Sequence, residues 1–244
     1  MDRKIILITG AGGSLGSAIL ERFYKQNSEF DIIAFSKVQN VQTCFKNIKV
    51  DLEEPLSTTF WTKLFDILNG KKVAGLIWAA GVFFGEEFSS PYILENFQKQ
   101  WYINCYNLLE MTQKLCSFFD CEVGGQIIAI SSMLAKRSTN GSFSYSTTKG
   151  MQDILVQKLA YELAKYNVRV NSINPGLFRS NMSEQTWSQQ EKIERLQSNI
   201  PLRHFVHVNE LVNLIHFIFH GNCKSLTGQN IFIEGGNLLC FSKL

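Results

Sequence analysis

The chain has 244 residues, 45% of them hydrophobic, which suits one compact domain with a sizeable core. A formal net charge of +3 with no Lys/Arg-rich run argues against nucleic acid as a partner. Six dispersed cysteines without a C-x-x-C pair read as reduced thiols, not as a disulfide framework. The first apolar run is too short for a secretory leader, and no stretch approaches the roughly 18 apolar residues of a membrane span. These features predict a soluble, cytoplasmic protein with no membrane partner.

The first element is the apolar run IILI (5–8), a predicted buried strand. It leads directly into TGAGGSLG, Thr9 to Gly16, after which Leu15, Ile19 and Phe23 recur at helical spacing. In a strand–turn–helix, glycines let the backbone approach a pyrophosphate, and the helix offers unpaired N–H groups and its positive dipole end. The segment therefore reads as a dinucleotide site. Gly10, Gly13 and Gly16 fit G-x-x-G-x-x-G. The same residues fit T-G-x-x-x-G-x-G if Ser14 stands for a glycine. The loop alone leaves both spacings open, and they point to different enzymes.

The second strand, DIIAF (31–35), ends in Phe35-Ser36-Lys37. An acidic residue there would bind the ribose 2′-hydroxyl of NAD. A hydroxyl and a cation, Ser36 and Lys37, suit a 2′-phosphate instead, so NADP(H) is favoured over NAD(H). Further apolar runs follow: GLIWAA (75–80), QIIAI (126–130), RVNSI (169–173) and NIFIE (230–234). Helical patterns lie between them, among them Ile154, Leu155, Leu159 and Leu163. Continuous apolar strands alternating with helices predict an α/β fold, a single-domain doubly wound parallel sheet of the Rossmann type spanning 1–244. The one long irregular stretch, 177–201, is expected to be a substrate flap carrying a short helix near 189–197.

YSTTK places Tyr145 and Lys149 at i and i+4, on one helix face. A nearby cation favours the phenolate and should lower the tyrosine pKa toward working pH, poising it to exchange a proton with a carbonyl or alcohol oxygen. The spacing alone is weak, because YELAK repeats it with Tyr161 and Lys165. Position separates them. Tyr145 opens its helix just after the strand QIIAI and its trailing Ser131-Ser132, at the carboxyl edge where ligands bind in open α/β sheets. Tyr161 lies several turns further down and reads as surface.

With these residues in hand, the sequence resembles the classical short-chain dehydrogenase/reductase family along nearly its whole length, most closely the 3-oxoacyl-carrier-protein reductase-like branch. The resemblance implies a catalytic set of Asn104 (in WYINCYN), Ser132, Tyr145 and Lys149. It implies adenine-side contacts from Asp51 and Leu52, close cofactor approach at Ala80 and Gly81, and nicotinamide contacts from Pro175, Gly176, Phe178 and Ser180. The classical loop spacing is then the implied one, with Gly10, Gly13, Ser14, Leu15 and Gly16 lining the cofactor. Ser14→Gly should retain NADPH binding, with the Ser14 hydroxyl capping the helix or meeting a phosphate. The chain departs from the family where WAAG (78–81) replaces the usual N-N-A-G, so Ala79 cannot supply the asparagine hydrogen bonds that brace the sheet. Arg179 also stands where an acidic residue is common. The implied cycle moves hydride between nicotinamide C4 and a carbonyl carbon while Tyr145 moves the proton, aided by Ser132, Lys149 and Asn104.

Phe83, Met133 and Trp187 suggest apolar walls for a small carbonyl or alcohol substrate. Lys136 and Arg137 could greet an anionic or carrier-bound one, or be solvated loop charges. His216 and His220 share a helix face but lack a third ligand, so no metal site is expected. Two rivals stand beside the ketone/alcohol oxidoreductase. An extended-type nucleotide-sugar epimerase or dehydratase would need a further sugar-binding region that 244 residues are not expected to hold. A non-catalytic NADP-binding regulator would not need the four catalytic residues. The resemblance also implies a homotetramer or homodimer, with interfaces from the helices around 104–118 and 145–166 and from the C-terminal strand.

Overall fold

β1 (Lys4–Thr9) is buried along almost its whole length, which a strand of consecutive isoleucines and leucine requires. In the computed structural model, which describes residues 3–26, 30–38, 44, 46–220 and 223–240, it is an interior strand of a seven-stranded sheet. The other strands are β2 (Phe30–Ser36), β3 (Lys46–Lys49), β4 (Val73–Trp78), β5 (Gly125–Ile130), β6 (Val168–Pro175) and β7 (Asn230–Ile233). Their order is β3-β2-β1-β4-β5-β6-β7, with every pairing parallel. The chain reverses its direction of travel across the sheet between β1 and β4, and this is where a doubly wound sheet opens its ligand crevice.

Among the described residues, eight α-helices cover the two faces and the carboxyl edge: α1 (Ser14–Gln26), α2 (Thr58–Leu68), α3 (Ile93–Trp101), α4 (Asn107–Leu115), α5 (Phe143–Leu163), α6 (Glu184–Trp187), α7 (Gln190–Ser198) and α8 (Val208–His220). Each face has its own core. One joins Leu7, Phe35, Leu76 and Trp78 to α2, α4 and α5. The other joins Ile6, Ile8, Ile77 and Ile128 to α1 and α8. His216 and His220 pack on Phe23 in this second layer, and burial with the nearby Arg22 charge holds the His216 pKa low.

Three local departures have physical causes. The sequence pattern misses β3, because KNIK offers one apolar residue, Ile48, at a polar sheet edge. β4 stops at Trp78 and not at residue 80, since Ala79 and Ala80 turn aside to pack on Gly10. In α5, Ile154 is 60% exposed, while Leu159 and Leu163 are buried. Its outward face therefore carries apolar residues as well.

Candidate active site

The glycine loop is fixed by steric demand. Gly10 sits at φ +66°, and a Cβ there would lie 2.7 Å from the Ala80 nitrogen. At Gly16 a Cβ would come within 2.0 Å of the Gly10 oxygen, so α1 packs this close to β1 only without a side chain. At Gly13 the margin is wider, 3.3 Å to the same oxygen. Leu15 turns its side chain into the core. The brace that Ala79 cannot provide comes from Thr9, whose hydroxyl accepts the Ala80 N–H at 3.2 Å. Ser14 neither caps α1 through its hydroxyl nor stands free for a phosphate: its Oγ accepts the Asn181 N–H at 3.0 Å and donates to Asn181 Oδ1 at 3.2 Å.

On the adenine side, Leu52 is buried and Asp51 exposed, with Asp51 Oδ1 accepting the Glu53 N–H at 3.0 Å. Asn107, which the sequence reading passed over, donates to the carbonyls of Leu52 and Glu54 at 2.9 and 2.8 Å and pins this loop. Ser36 is buried and donates to the Val38 carbonyl. Lys37 bridges Glu53 and Asp51, the latter at 3.2 Å. Partial burial opposes its charge, but the two carboxylates outweigh that and raise its pKa.

The predicted catalytic residues come together from three elements. Between α3 and α4 the helix widens into a π turn, Tyr102–Tyr106, and Asn104 lies in it. Asn104 is fully buried; its Nδ2 donates to Thr148 Oγ1 at 2.9 Å, and its Oδ1 has no partner. Ser132 leaves β5 in extended conformation, and its Oγ accepts the Leu134 N–H at 3.1 Å. Tyr145 lies in the first turn of α5, with the Ser132 hydroxyl close enough to favour its phenolate. Lys149, one turn on, is buried and donates to the Ile130 carbonyl at 2.7 Å and to Gln152 Oε1 at 3.0 Å. A Cβ on Gly81 would stand 3.7 Å from Lys149 Nζ and 3.9 Å from Asn104 Oδ1, so the three meet at one point. An unpaired amide oxygen and an ammonium with one proton to spare suit the hydroxyls of a ribose.

The expected lowering of the Tyr145 pKa does not hold in this chain. Burial pushes it up to about 12, and the nearby Ser132 hydroxyl offsets only part of that. The Lys149 ammonium sits 5.7 Å from the ring centroid, with two of its protons committed elsewhere. Burial lowers Lys149 itself to about 8. The site therefore keeps the phenol protonated at neutral pH, the state a proton donor needs.

Sequence reasoning missed the support behind Ser132. Asn174 Nδ2 donates to the Ser132 carbonyl at 3.1 Å and to Asp153 Oδ2 at 2.8 Å. The Ser172 hydroxyl lies 3.2 Å from Asp153 Oδ1 and 2.8 Å from Asn174 Oδ1. The available signal was an aspartate within the otherwise buried face of α5.

Phe83 meets Tyr145 edge to face, while Met133, half-buried, follows Ser132 in a short 3-10 turn. Trp187 is turned into the flap: its Nε1 donates to Ser183 Oγ at 2.9 Å and its ring packs on Phe205. Pro175 ends β6, and the Gly176 N–H donates to the Ile233 carbonyl at 2.9 Å. Phe178 is partly buried against the α1/α8 core, and Ser180 opens the flap in a reciprocal capping pair with Ser183. Arg137 is engaged structurally, donating to the carbonyl and Oδ1 of Asn237 at 3.1 and 2.6 Å.

A glycine loop at the switch point of a parallel sheet, with a Ser–Tyr–Lys cluster beside it, fits a nicotinamide-dependent oxidoreductase that interconverts ketones and alcohols. A family model described as enoyl-(acyl carrier protein) reductase matches residues 10–237, and the chain belongs to the short-chain dehydrogenase/reductase family. It is 27% identical over 252 residues to L-xylulose reductase of Homo sapiens, covering 96% of each chain. To carbonyl reductase (NADPH) 2 of Sus scrofa it is 31% identical over 145 residues, 59% of each chain. Among solved structures, 4-hydroxyisoleucine dehydrogenase complexed with NADH superposes with a TM-score of 0.86 at 25% identity, covering 98% of this chain and 100% of that one.

Proposed function

We propose that this chain reduces a small ketone to a secondary alcohol with NADPH, using Tyr145 as the proton donor. The observation that carries the reading is the convergence of Tyr145, Ser132, Lys149 and Asn104 beside Gly81. When bound, the nicotinamide supplies the hydride. The backbone of Gly10, Gly13, Ser14, Leu15 and Gly16 would hold the diphosphate side, Asp51 and Leu52 the adenine side, and Pro175, Gly176, Phe178 and Ser180 the nicotinamide side. Ser132 and the Tyr145 phenol donate hydrogen bonds to the carbonyl oxygen, and the phenol gives up its proton as the alkoxide develops. Lys149 then stabilises the phenolate and, with Asn104 Oδ1, orients the path that returns a proton.

The preference for NADPH rests on Ser36 and Lys37 and on one relative named for NADPH, carbonyl reductase (NADPH) 2. Lys37 already bridges Asp51 and Glu53, so a 2′-phosphate shares that cation with two carboxylates. Phe83 and Met133 form the wall nearest the phenol. The Arg137 anchor removes one of the two cations considered for anionic substrates, and L-xylulose reductase among the relatives favours a neutral carbonyl compound. Apolar residues exposed on α4 and α5, Leu109, Met151 and Ile154, support assembly of copies through these helices. Consumption of NADPH against NADH, measured over ketoses and apolar ketones, tests the reading. Faster turnover with NADPH and a neutral ketone is expected; turnover confined to NADH, or to anionic substrates, contradicts it.

A further inference from the structure

The double hydrogen bond between Ser14 and Asn181 joins residues far apart in both sequence and sheet. Ser14 opens α1 at the carboxyl end of β1, and Asn181 lies six residues beyond Pro175, the end of β6. In the sheet β4 and β5 lie between these strands. With strands about 4.8 Å apart, the flap root crosses roughly 14 Å to reach Ser14. The residue next to Asn181 stands over the site: Met182 Cε lies 3.9 Å from a Cβ built on Gly81, the point that Lys149 and Asn104 also face.

The contact is reciprocal. Ser14 Oγ accepts the Asn181 N–H at 3.0 Å and donates to Asn181 Oδ1 at 3.2 Å. The side chain that breaks the family's glycine pattern is thus fully used by the flap. The flap root is itself a built unit. Ser183 Oγ lies within donating distance of the Phe178 and Ser180 carbonyls, at 2.9 and 3.1 Å, and accepts the Ser180 N–H and the Trp187 indole N–H. A contact at its tip therefore holds down the whole segment rather than one loose side chain.

We infer that Ser14 and Asn181 form a latch that retains the dinucleotide by closing the flap root over the carboxyl ends of β4 and β5. The inference rests on the cofactor reading above. Asn181 is then a positioning residue: it acts through the flap and does not touch the reacting atoms. Opening the latch frees the crevice for both capture and release, so its loss changes rates more than equilibrium affinity.

The test is stopped-flow displacement of NADPH, followed by its fluorescence, from the full-length chain and from Ser14→Ala, Asn181→Ala and the double variant. Ser14→Ala, which removes both bonds, should speed release about three- to tenfold, tenfold corresponding to about 1.4 kcal/mol. Asn181→Ala, which keeps the backbone donor, should have a smaller effect. The double variant should match Ser14→Ala alone, and the Asn181 amide should exchange its hydrogen faster in Ser14→Ala. Unchanged or slower release in Ser14→Ala, or additive effects in the double variant, overturns the latch while leaving the cofactor reading in place. An unaltered chain that binds no nicotinamide dinucleotide overturns both.

Discussion

The ring of Phe83 stands edge-on to that of Tyr145, with centroids 5.3 Å apart and planes at 86°. The ring packs against the phenol, whose burial raises its pKa to about 12. Phe83→Ala should raise the ketone KM about three- to tenfold with a smaller change in kcat, as expected for a ring contact of about 0.5–1.5 kcal/mol. Admitting water should also let the Tyr145 pKa fall toward its ordinary value. Steady-state kinetics and ultraviolet difference titration against Phe83→Ala/Tyr145→Phe measure both; no change in either contradicts the shielding role.

Asn174 ties the Ser132 carbonyl to Asp153, so Asn174→Ala should loosen the serine while leaving the cofactor walls intact. A fall in kcat of about tenfold is expected, with NADPH affinity unchanged and stability lower by about 1–3 kcal/mol from the unpaired buried groups. Denaturant melts, binding titrations and kinetics report these separately. A variant that loses stability but keeps wild-type kcat would make the network structural only.

Arg137 binds Asn237, so its removal should cost activity equally for anionic and neutral ketones. Arg137→Ala assayed on matched pairs of substrates decides this. A loss confined to the anionic member would return Arg137 to a substrate-binding role.

Lys149 gives a pH prediction. Its pKa is about 8 in the folded chain, below the ordinary 10.5, because burial disfavours the charge. Between these values the unfolded chain binds more protons, so stability rises with pH there. The burial cost is present in full below pH 8 and relieved by about pH 10.5. Relative to Lys149→Met, the wild type should gain on the order of 3 kcal/mol over that window. Urea unfolding of both proteins at several pH values checks this; a constant difference, or one that moves against the wild type as pH rises, contradicts the buried ammonium.

Much of this was legible beforehand because period and spacing are local signals. Six of the seven strands announce themselves as apolar runs, and Ser132, Tyr145 and Lys149 lie within one loop and one helical turn. β3 was invisible because an edge strand of four residues buries only Ile48. The Tyr145 pKa was misjudged in direction because spacing shows a neighbouring cation but not the burial that outweighs it. Asn107, Asn174 and the Ser14–Asn181 contact act across 53 or 55, 42 and 167 positions of sequence, beyond the reach of any periodicity.

The most direct measurement follows deuterium from the nicotinamide C4 of labelled NADPH into product, for wild type and Tyr145→Phe in parallel, alongside NADPH binding to each. The wild type should place deuterium on the carbinol carbon of a reduced ketone. Tyr145→Phe should bind NADPH as tightly yet turn over at least about a hundredfold more slowly. Full transfer by Tyr145→Phe, or a wild type that binds NADPH and reduces no ketone, would contradict the assignment of Tyr145 as the proton donor of a ketone reductase.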